Sequence, residues 1–239
     1  METRVLDQEI VETWLDEFVR RLREVFGERL RFVGHHGSWA RGEAAPESDI
    51  DTMVILDRIE PPDLVGFRAV IESMPDGGKA ASGLLTSVPE MRALPRSGLM
   101  QYFWGCKVLH GSMEGIVERP TERDLLEDVR AKASTHLLNA RHYLLFPHDL
   151  SQKVHNLRYP FKECAYALQQ WVLVQSGEFV ARKDDLLRVL DEEMDRAVVE
   201  VVRAWRQSEQ DRTARPAYYL ELLEKWCRSM LSRLPAQAA

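Results

Sequence analysis

Two aspartates, Asp49 and Asp51, are separated only by Ile50 at the start of an apolar segment that ends at Leu56. In an extended strand alternate side chains point to the same face, so we expect the two carboxylates to lie side by side. Neighbouring carboxylates repel each other unless a positive charge lies between them, and a hard divalent cation is the usual partner. The spacing therefore predicts a metal site at Asp49 and Asp51.

A glycine and a serine, Gly37 and Ser38, lie upstream of the aspartates, after a short predicted strand over 30–33 and before a predicted helix. Backbone N–H groups and a hydroxyl at such a bend suit an anionic phosphate. A phosphate site that faces a carboxylate–magnesium site is typical of phosphoryl or nucleotidyl transfer. The residues alone thus indicate an enzyme of that class.

The segment Gly37–Val54 resembles the G-S-x-A-R-G-x5-S-D-I-D-x-x-V signature of the DNA polymerase beta nucleotidyltransferase superfamily, especially its small bacterial members. Every fixed position of the signature is present, over 18 residues. The resemblance implies that Gly37 and Ser38 hold a triphosphate and that Asp49 and Asp51 bind two Mg²⁺ ions. It also implies transfer of a nucleoside monophosphate to an acceptor with release of pyrophosphate.

Two residues between the glycine and the aspartates have alternative interpretations. Arg41 either contacts the nucleotide phosphates, as a third nucleotide-binding residue, or ties the loop to a neighbouring acid. Trp39 either stacks on a base or packs against the sheet, and packing is the favoured interpretation.

The superfamily usually has a third acid on a later strand, where it helps to bind the catalytic metal. The predicted third strand, over 80–86, has no carboxylate. Asp76 and Glu90 are the nearest acids in the sequence, and Glu163 or Glu178 could supply the missing group from the second half. The missing acid motivates an alternative hypothesis, a nucleotide-binding, antitoxin-like interaction protein that has lost turnover.

Hydrophobic periodicity predicts an α+β protein with two domains, an α/β domain over 1–119 and a helical bundle over 120–239. The resemblance implies that the first is the nucleotidyltransferase catalytic domain, with a small mixed sheet. The segment 89–111 has no clear pattern and is interpreted as packing material and a connector. In chain order, the other predicted elements are a helix over 5–26, strands over 30–33 and 49–56, a helix from Pro61 to before Pro75, a strand over 80–86, and helices over 121–147, 159–175, 183–207 and 217–234.

The helical half resembles, more weakly, the HEPN and substrate-binding domains that accompany such catalytic domains. Arg130 and His136 fit the loose R-x4-6-H pattern of HEPN ribonucleases, and so do Arg141 and His148. Ala131 departs from that family, which usually has a polar residue directly after the arginine. A ribonuclease is therefore a third, disfavoured hypothesis.

Composition limits the class of protein and the partners. The 239 residues are 45% hydrophobic and 29% charged, which excludes disorder as the main state. No apolar run is long enough for a membrane span, and the net charge of −6 does not favour a long nucleic acid as partner. The first thirty residues show no secretory signal and the three cysteines are far apart, so we expect a cytoplasmic protein without disulfides.

Together these observations predict an Mg²⁺-dependent nucleotidyltransferase that moves a nucleoside monophosphate, with ATP as the favoured donor, onto an acceptor hydroxyl. An aminoglycoside or related antibiotic, a protein side chain and a tRNA end are the alternatives for the acceptor. The base preference and the oligomeric state, including a homodimer, stay open.

Overall fold

The structure is a computed structural model that describes residues 6–146 and 156–236. The chain divides into two compact units, residues 1–119 and 120–239. The first unit combines a sheet with helices, and the described part of the second is helical. The predicted fold class, a small mixed sheet with helices followed by a helical region, is confirmed.

The first unit contains a sheet and the helices that flank it. In chain order, the elements are α1 (Gln8–Phe26), β1 (Leu30–His36), α2 (Gly37–Ala40), β2 (Ile50–Leu56), α3 (Pro61–Glu72), β3 (Ala81–Ser87), α4 (Val88–Ala93), α5 (Met100–Trp104) and β4 (Lys107–Gly111). The four strands lie in the order β3-β2-β1-β4. β1 is antiparallel to both β2 and β4, whereas β2 and β3 run parallel. The parallel pair needs a crossover, and α3 supplies it.

Alternating side chains on β2 anchor the central strand in two cores, one on each face of the sheet. Val54 and Leu56 pack with the buried stripe of α1, which includes Phe18. Met53 and Ile55 point to the opposite face and pack there with other buried side chains. Because both faces of β2 are buried in apolar cores, the register of the strand is fixed. The side chain two positions before Met53 therefore belongs to the same face of the sheet as Met53.

The segment 89–111, interpreted from the sequence as a connector, instead contains α4, α5 and the fourth strand. β4 pairs with β1, with Val33 opposite His110. This short edge strand has few apolar residues and its Val108 is exposed. The strand therefore forms because β4 pairs with β1, and its own sequence pattern contributes little.

The helical unit is built around Trp226 and Phe161, which are fully buried. The predicted helix over 183–207 is wrong as one element: it breaks at 190–192, where Leu190 and Glu192 adopt extended backbone and Leu190 packs into the core. Of the described helices, none combines the length and apolar character that a membrane span requires. In chain order, the helices described are α6 (Glu122–Leu145), α7 (Arg158–Ser176), α8 (Lys183–Val189), α9 (Glu193–Arg203), α10 (Glu209–Ala214) and α11 (Pro216–Arg233).

A buried ion pair links α9 to α11. Asp195, only 2% exposed, accepts hydrogen bonds from Trp226 Nε1 at 2.8 Å and from two nitrogens of Arg233 at 2.7 Å. The Asp195→Ala variant should lower the free energy of unfolding by about 3 kcal/mol, because the Arg233 guanidinium is left partly buried without its counter-ion. Urea denaturation measures this loss.

The matched control for that variant is Asp184→Ala, which removes the exposed ion pair between Asp184 and Arg203. We expect it to cost less than about 1 kcal/mol, because water solvates both partners. Equal losses for the two variants would contradict the role assigned to the buried pair.

Candidate active site

The two aspartates lie at the start of β2. Asp51 is half-buried, and Asp49, directly before the strand, is exposed. In the sheet register Asp51 stands between His36 of β1 and Ser82 of β3. It alternates with the buried Met53, so the packing of β2 determines the face to which Asp51 belongs.

Gly37 lies directly against the Asp51 side chain. A Cβ atom built at residue 37 would be 2.0 Å from Asp51 Oδ2. The backbone of Gly37 also has a φ of +79°, in the left-handed region that favours glycine. The structure thus brings the glycine–serine bend and the second aspartate together at the junction of β1 and α2.

Within the two described ranges, neither aspartate side chain has a hydrogen bond or an ion pair with another residue, and no lysine or arginine neutralises these carboxylates. The Ser38 hydroxyl, half-buried on α2, likewise makes no hydrogen bond in this part of the chain. Carboxylate oxygens are the ligands that Mg²⁺ prefers, and here they are not already occupied by a protein cation. The donor set therefore fits a hard divalent cation.

The loop between α2 and β2 is held by its own contacts. Arg41 Nε lies 3.1 Å from Glu43 Oε2, and both side chains are largely buried. Trp39 packs in the core and its indole N–H donates to the carbonyl oxygen of Ser48 at 3.0 Å. Of the two interpretations for Arg41, the structure thus shows the tie to a neighbouring acid, and a contact with nucleotide phosphate stays a prediction.

Asp76, one candidate for the third acid, serves the turn before β3. It accepts hydrogen bonds from the backbone N–H groups of Gly78 at 3.0 Å and Ala80 at 2.7 Å, and from Trp14 Nε1 at 3.2 Å. Partial burial acts to raise the pKa of Asp76, but these hydrogen bonds outweigh it and lower the pKa. Its oxygens hold the turn together.

Glu90, the second candidate, forms the capping box of α4. Its Oε2 accepts from the Ser87 hydroxyl and the Ser87 backbone N–H, each at 2.7 Å. The hydrogen bond from the Ser87 side chain is the main cause of a lowered pKa of Glu90. The spacing of a serine and a glutamate three residues later is the usual signature of this cap, so the sequence carries a structural explanation for Glu90.

The acids suggested from the helical unit have different surroundings. Glu163 Oε2 lies 2.9 Å from His136 Nε2, and its Oε1 accepts from the Tyr159 hydroxyl at 2.9 Å. The hydrogen bond to His136 is the main cause of a lowered pKa of Glu163, which makes this carboxylate a weaker base at neutral pH. Glu178 is exposed in the loop after α7.

The residues of the ribonuclease pattern do not converge. Arg130 donates to the backbone carbonyl of Pro235, while His136 is buried against Glu163. A separation of six residues places two side chains on different faces of one helix. Arg141 instead pairs with Glu224 at 2.9 Å, and His148 lies outside the described residues.

Sequence reasoning missed two residues near the aspartates. Ser82 was not recognised as the β3 residue beside Asp51, because strand register cannot be read from a parallel crossover. Glu43 was not named as the partner of Arg41, although opposite charges on either side of Gly42 are a local signal for it.

A buried histidine, His35, lies on β1 opposite Thr52 and is only 1% exposed. Burial, assisted by the charges of His36 and Lys107, lowers the pKa of His35 to about 4. As the pH decreases, the His35 imidazole of the unfolded chain takes up a proton near its ordinary pKa of 6.5, whereas that of the folded chain does so only near 4. Stability should therefore fall by about 3 kcal/mol as the pH decreases from about 6.5 to about 4.

Urea denaturation across this pH range, compared between the protein and the His35→Leu variant, checks the pH dependence. On acidification the free energy of unfolding of the variant should fall by about 3 kcal/mol less than that of the unmodified protein, whatever the stability of the variant at neutral pH. Parallel pH profiles would contradict the buried neutral state of His35.

Comparison with known proteins supports the class of the first unit. Residues 15–75, which include the glycine–serine bend and both aspartates, match the family described as a nucleotidyltransferase domain. The match confirms the resemblance to the DNA polymerase beta nucleotidyltransferase superfamily. The matched segment makes up 61 of the 239 residues and lies entirely in the first unit.

Two individual proteins indicate the range of relatives. Over 54 residues the chain is 38% identical to a Methanocaldococcus jannaschii protein named as a protein adenylyltransferase. The matched segment is 23% of this chain and 37% of that protein. The chain thus spans little more than a third of this curated relative. Spectinomycin adenyltransferase AAD(9) from Enterococcus faecialis, solved with ATP and spectinomycin, matches 91% of this chain and 99% of its own at 12% identity, with a TM-score of 0.54. At this identity the likeness shows a shared fold.

Proposed function

We propose that this protein is an adenylyltransferase that moves AMP from ATP onto a hydroxyl group of a small-molecule acceptor. One observation carries the proposal: Asp49 and Asp51 have no cationic partner in the described chain, and Asp51 touches the glycine bend inside a segment that matches nucleotidyltransferases. The name of the sequence relative and the ATP bound to the structural relative support ATP as the donor.

Each group of residues in the site has a separate role in the reaction. Backbone N–H groups near Gly37 and the Ser38 hydroxyl would bind the triphosphate. Asp49 and Asp51 would hold Mg²⁺, whose charge, when it is bound, stabilises the negative charge that develops on the phosphate oxygens. The buried packing of β2 keeps the Asp51 carboxylate on one face of the sheet, so that little reorganisation of this group is needed during the reaction.

The transfer itself is a displacement at the α-phosphorus of ATP. The oxygen of the acceptor hydroxyl forms the new bond to phosphorus, and the bond from phosphorus to the bridging oxygen of pyrophosphate breaks. The acceptor hydroxyl releases its proton to the surrounding water, and pyrophosphate leaves with the electron pair of the broken bond. The products are an adenylylated acceptor and pyrophosphate.

A small molecule is favoured as acceptor over a protein because of the extent of the two similarities. The fold likeness to the spectinomycin enzyme reaches into both units, whereas the identity with the protein adenylyltransferase is confined to 54 residues. An aminoglycoside or aminocyclitol antibiotic is therefore the first acceptor class to test.

The test is incubation of the protein with α-³²P-labelled ATP, Mg²⁺ and a panel of such antibiotics, with separate reactions that offer protein acceptors. The expected result is label on an antibiotic together with release of pyrophosphate. Label on protein alone would overturn the small-molecule acceptor. Binding of ATP without pyrophosphate release from any reaction would favour the alternative, a nucleotide-binding module without turnover, which the missing third acid motivates.

A further inference from the structure

Ser82 is the residue of β3 closest in register to Asp51. The two residues are Cα partners in the parallel ladder of β2 and β3. Paired residues on neighbouring strands are about 4.8 Å apart, and their side chains share one face of the sheet. Ser82 is half-buried there, so a short polar side chain occupies the place beside the second aspartate.

The first unit provides few further acids for this face. β3 has no carboxylate along its whole length, Ala81–Ser87. Asp76 and Glu90, on either side of β3, are committed to the turn and to the helix cap. Among all residues that the structure describes, no group of three or more His, Cys, Asp or Glu side chains could hold a metal ion.

The coordination requirements of Mg²⁺ determine how many ions two carboxylates can hold. The ion takes six oxygen ligands, keeps several waters, and is usually bound through one or two carboxylates together with phosphate oxygens of the substrate. Asp49 and Asp51 match that demand for one ion. A second ion would need further anionic oxygens from the protein, and the register position that could present one holds the neutral hydroxyl of Ser82.

We propose that the site binds a single divalent cation, which is retained only together with the nucleotide, and that Ser82 is the residue that limits the site to one ion. The inference rests on the proposed function, because it takes the nucleotide phosphates as the remaining ligands. It departs from the two ions that the family resemblance implies.

The number of bound ions can be counted without measuring activity. Mn²⁺ accepts the same oxygen ligands as Mg²⁺ and is paramagnetic, so equilibrium dialysis with electron paramagnetic resonance gives bound ions per protein. The protein is dialysed with Mn²⁺ alone, and with Mn²⁺ plus α,β-methylene-ATP, whose α–β linkage is not cleaved. We expect negligible Mn²⁺ on the protein alone and one ion per bound analogue. The Mn²⁺ concentration is chosen so that it just saturates this single site.

The Ser82→Asp variant tests the role of the β3 position, and Ser82→Asn is its control of equal size without the charge. The aspartate variant should bind two ions per analogue under the same conditions, and the asparagine variant one. Circular dichroism and thermal unfolding verify that each variant is folded. The count for the unmodified protein keeps the test decisive even if Ser82→Asp does not fold.

The outcomes separate the inference from the proposed function. Two Mn²⁺ ions per analogue on the unmodified protein would overturn the single-cation site while the function stands. A folded Ser82→Asp variant that still binds one ion would overturn the assignment to Ser82. Failure of the protein to bind the analogue at all would overturn the proposed function, and the inference with it.

Discussion

The Asp51→Asn variant is expected to transfer AMP at least about a thousandfold more slowly than the unmodified protein. Asp51 faces the bend that begins at Gly37 and has no cationic partner in the described part of the chain, so its charge is available to a bound cation rather than to the fold. Removing that charge next to Asp49 relieves repulsion between like charges. The thermal midpoint should therefore stay the same or rise slightly, while transfer is lost.

Asp57→Asn provides the matched control on the same segment, directly after β2. Asp57 is paired with Arg29 at 3.1 Å and with Arg58 at 3.0 Å, so its charge serves the fold. This variant should lose up to about 1 kcal/mol of stability and keep its transfer rate. Transfer of label from α-³²P-labelled ATP to the acceptor and thermal unfolding measure the two properties, and an Asp51→Asn variant that retains full transfer would remove the basis for the proposed site.

Sequence patterns were sufficient where a local signal determines structure. The apolar stripe of α1 and the apolar run of β2 are both visible in the sequence, and the glycine–serine bend falls between β1 and β2 as expected. The local signals for Asp76, a proline–aspartate–glycine turn, and for Glu90, a capping box, also have structural counterparts. Each depends on residues within a few positions of one another.

Contacts between distant segments explain what the sequence did not reveal. β4 becomes a strand because β1 offers it an open edge, and its own residues are weakly patterned. The break at 190–192 follows from the burial of Leu190 in the helical core, although the surrounding residues have helical spacing. The neighbours of Asp51 on β3 depend on a crossover through α3, and no pattern within either strand specifies that register.

The contact between Gly37 and Asp51, another contact between separate segments, leads to the second large effect. The Gly37→Ala variant should reduce AMP transfer at least about a hundredfold, because an added Cβ would lie 2.0 Å from Asp51 Oδ2 and must displace the carboxylate. Displacement by roughly an ångström is enough to misplace a group that positions a reacting phosphate. The variant should also lose at least about 1 kcal/mol of stability, since alanine is strained at a φ of +79°.

Gly42→Ala separates the displacement of Asp51 from backbone strain. Gly42 also has a left-handed φ, +68°, and a Cβ there would meet no heavy atom within 4 Å. Both variants therefore carry similar strain, about 1 kcal/mol each, but only the alanine at residue 37 meets a carboxylate. We expect Gly42→Ala to lose stability and to keep AMP transfer within a few-fold of the unmodified protein. Equal losses of transfer in the two variants would mean that loop strain, rather than the position of Asp51, controls the reaction.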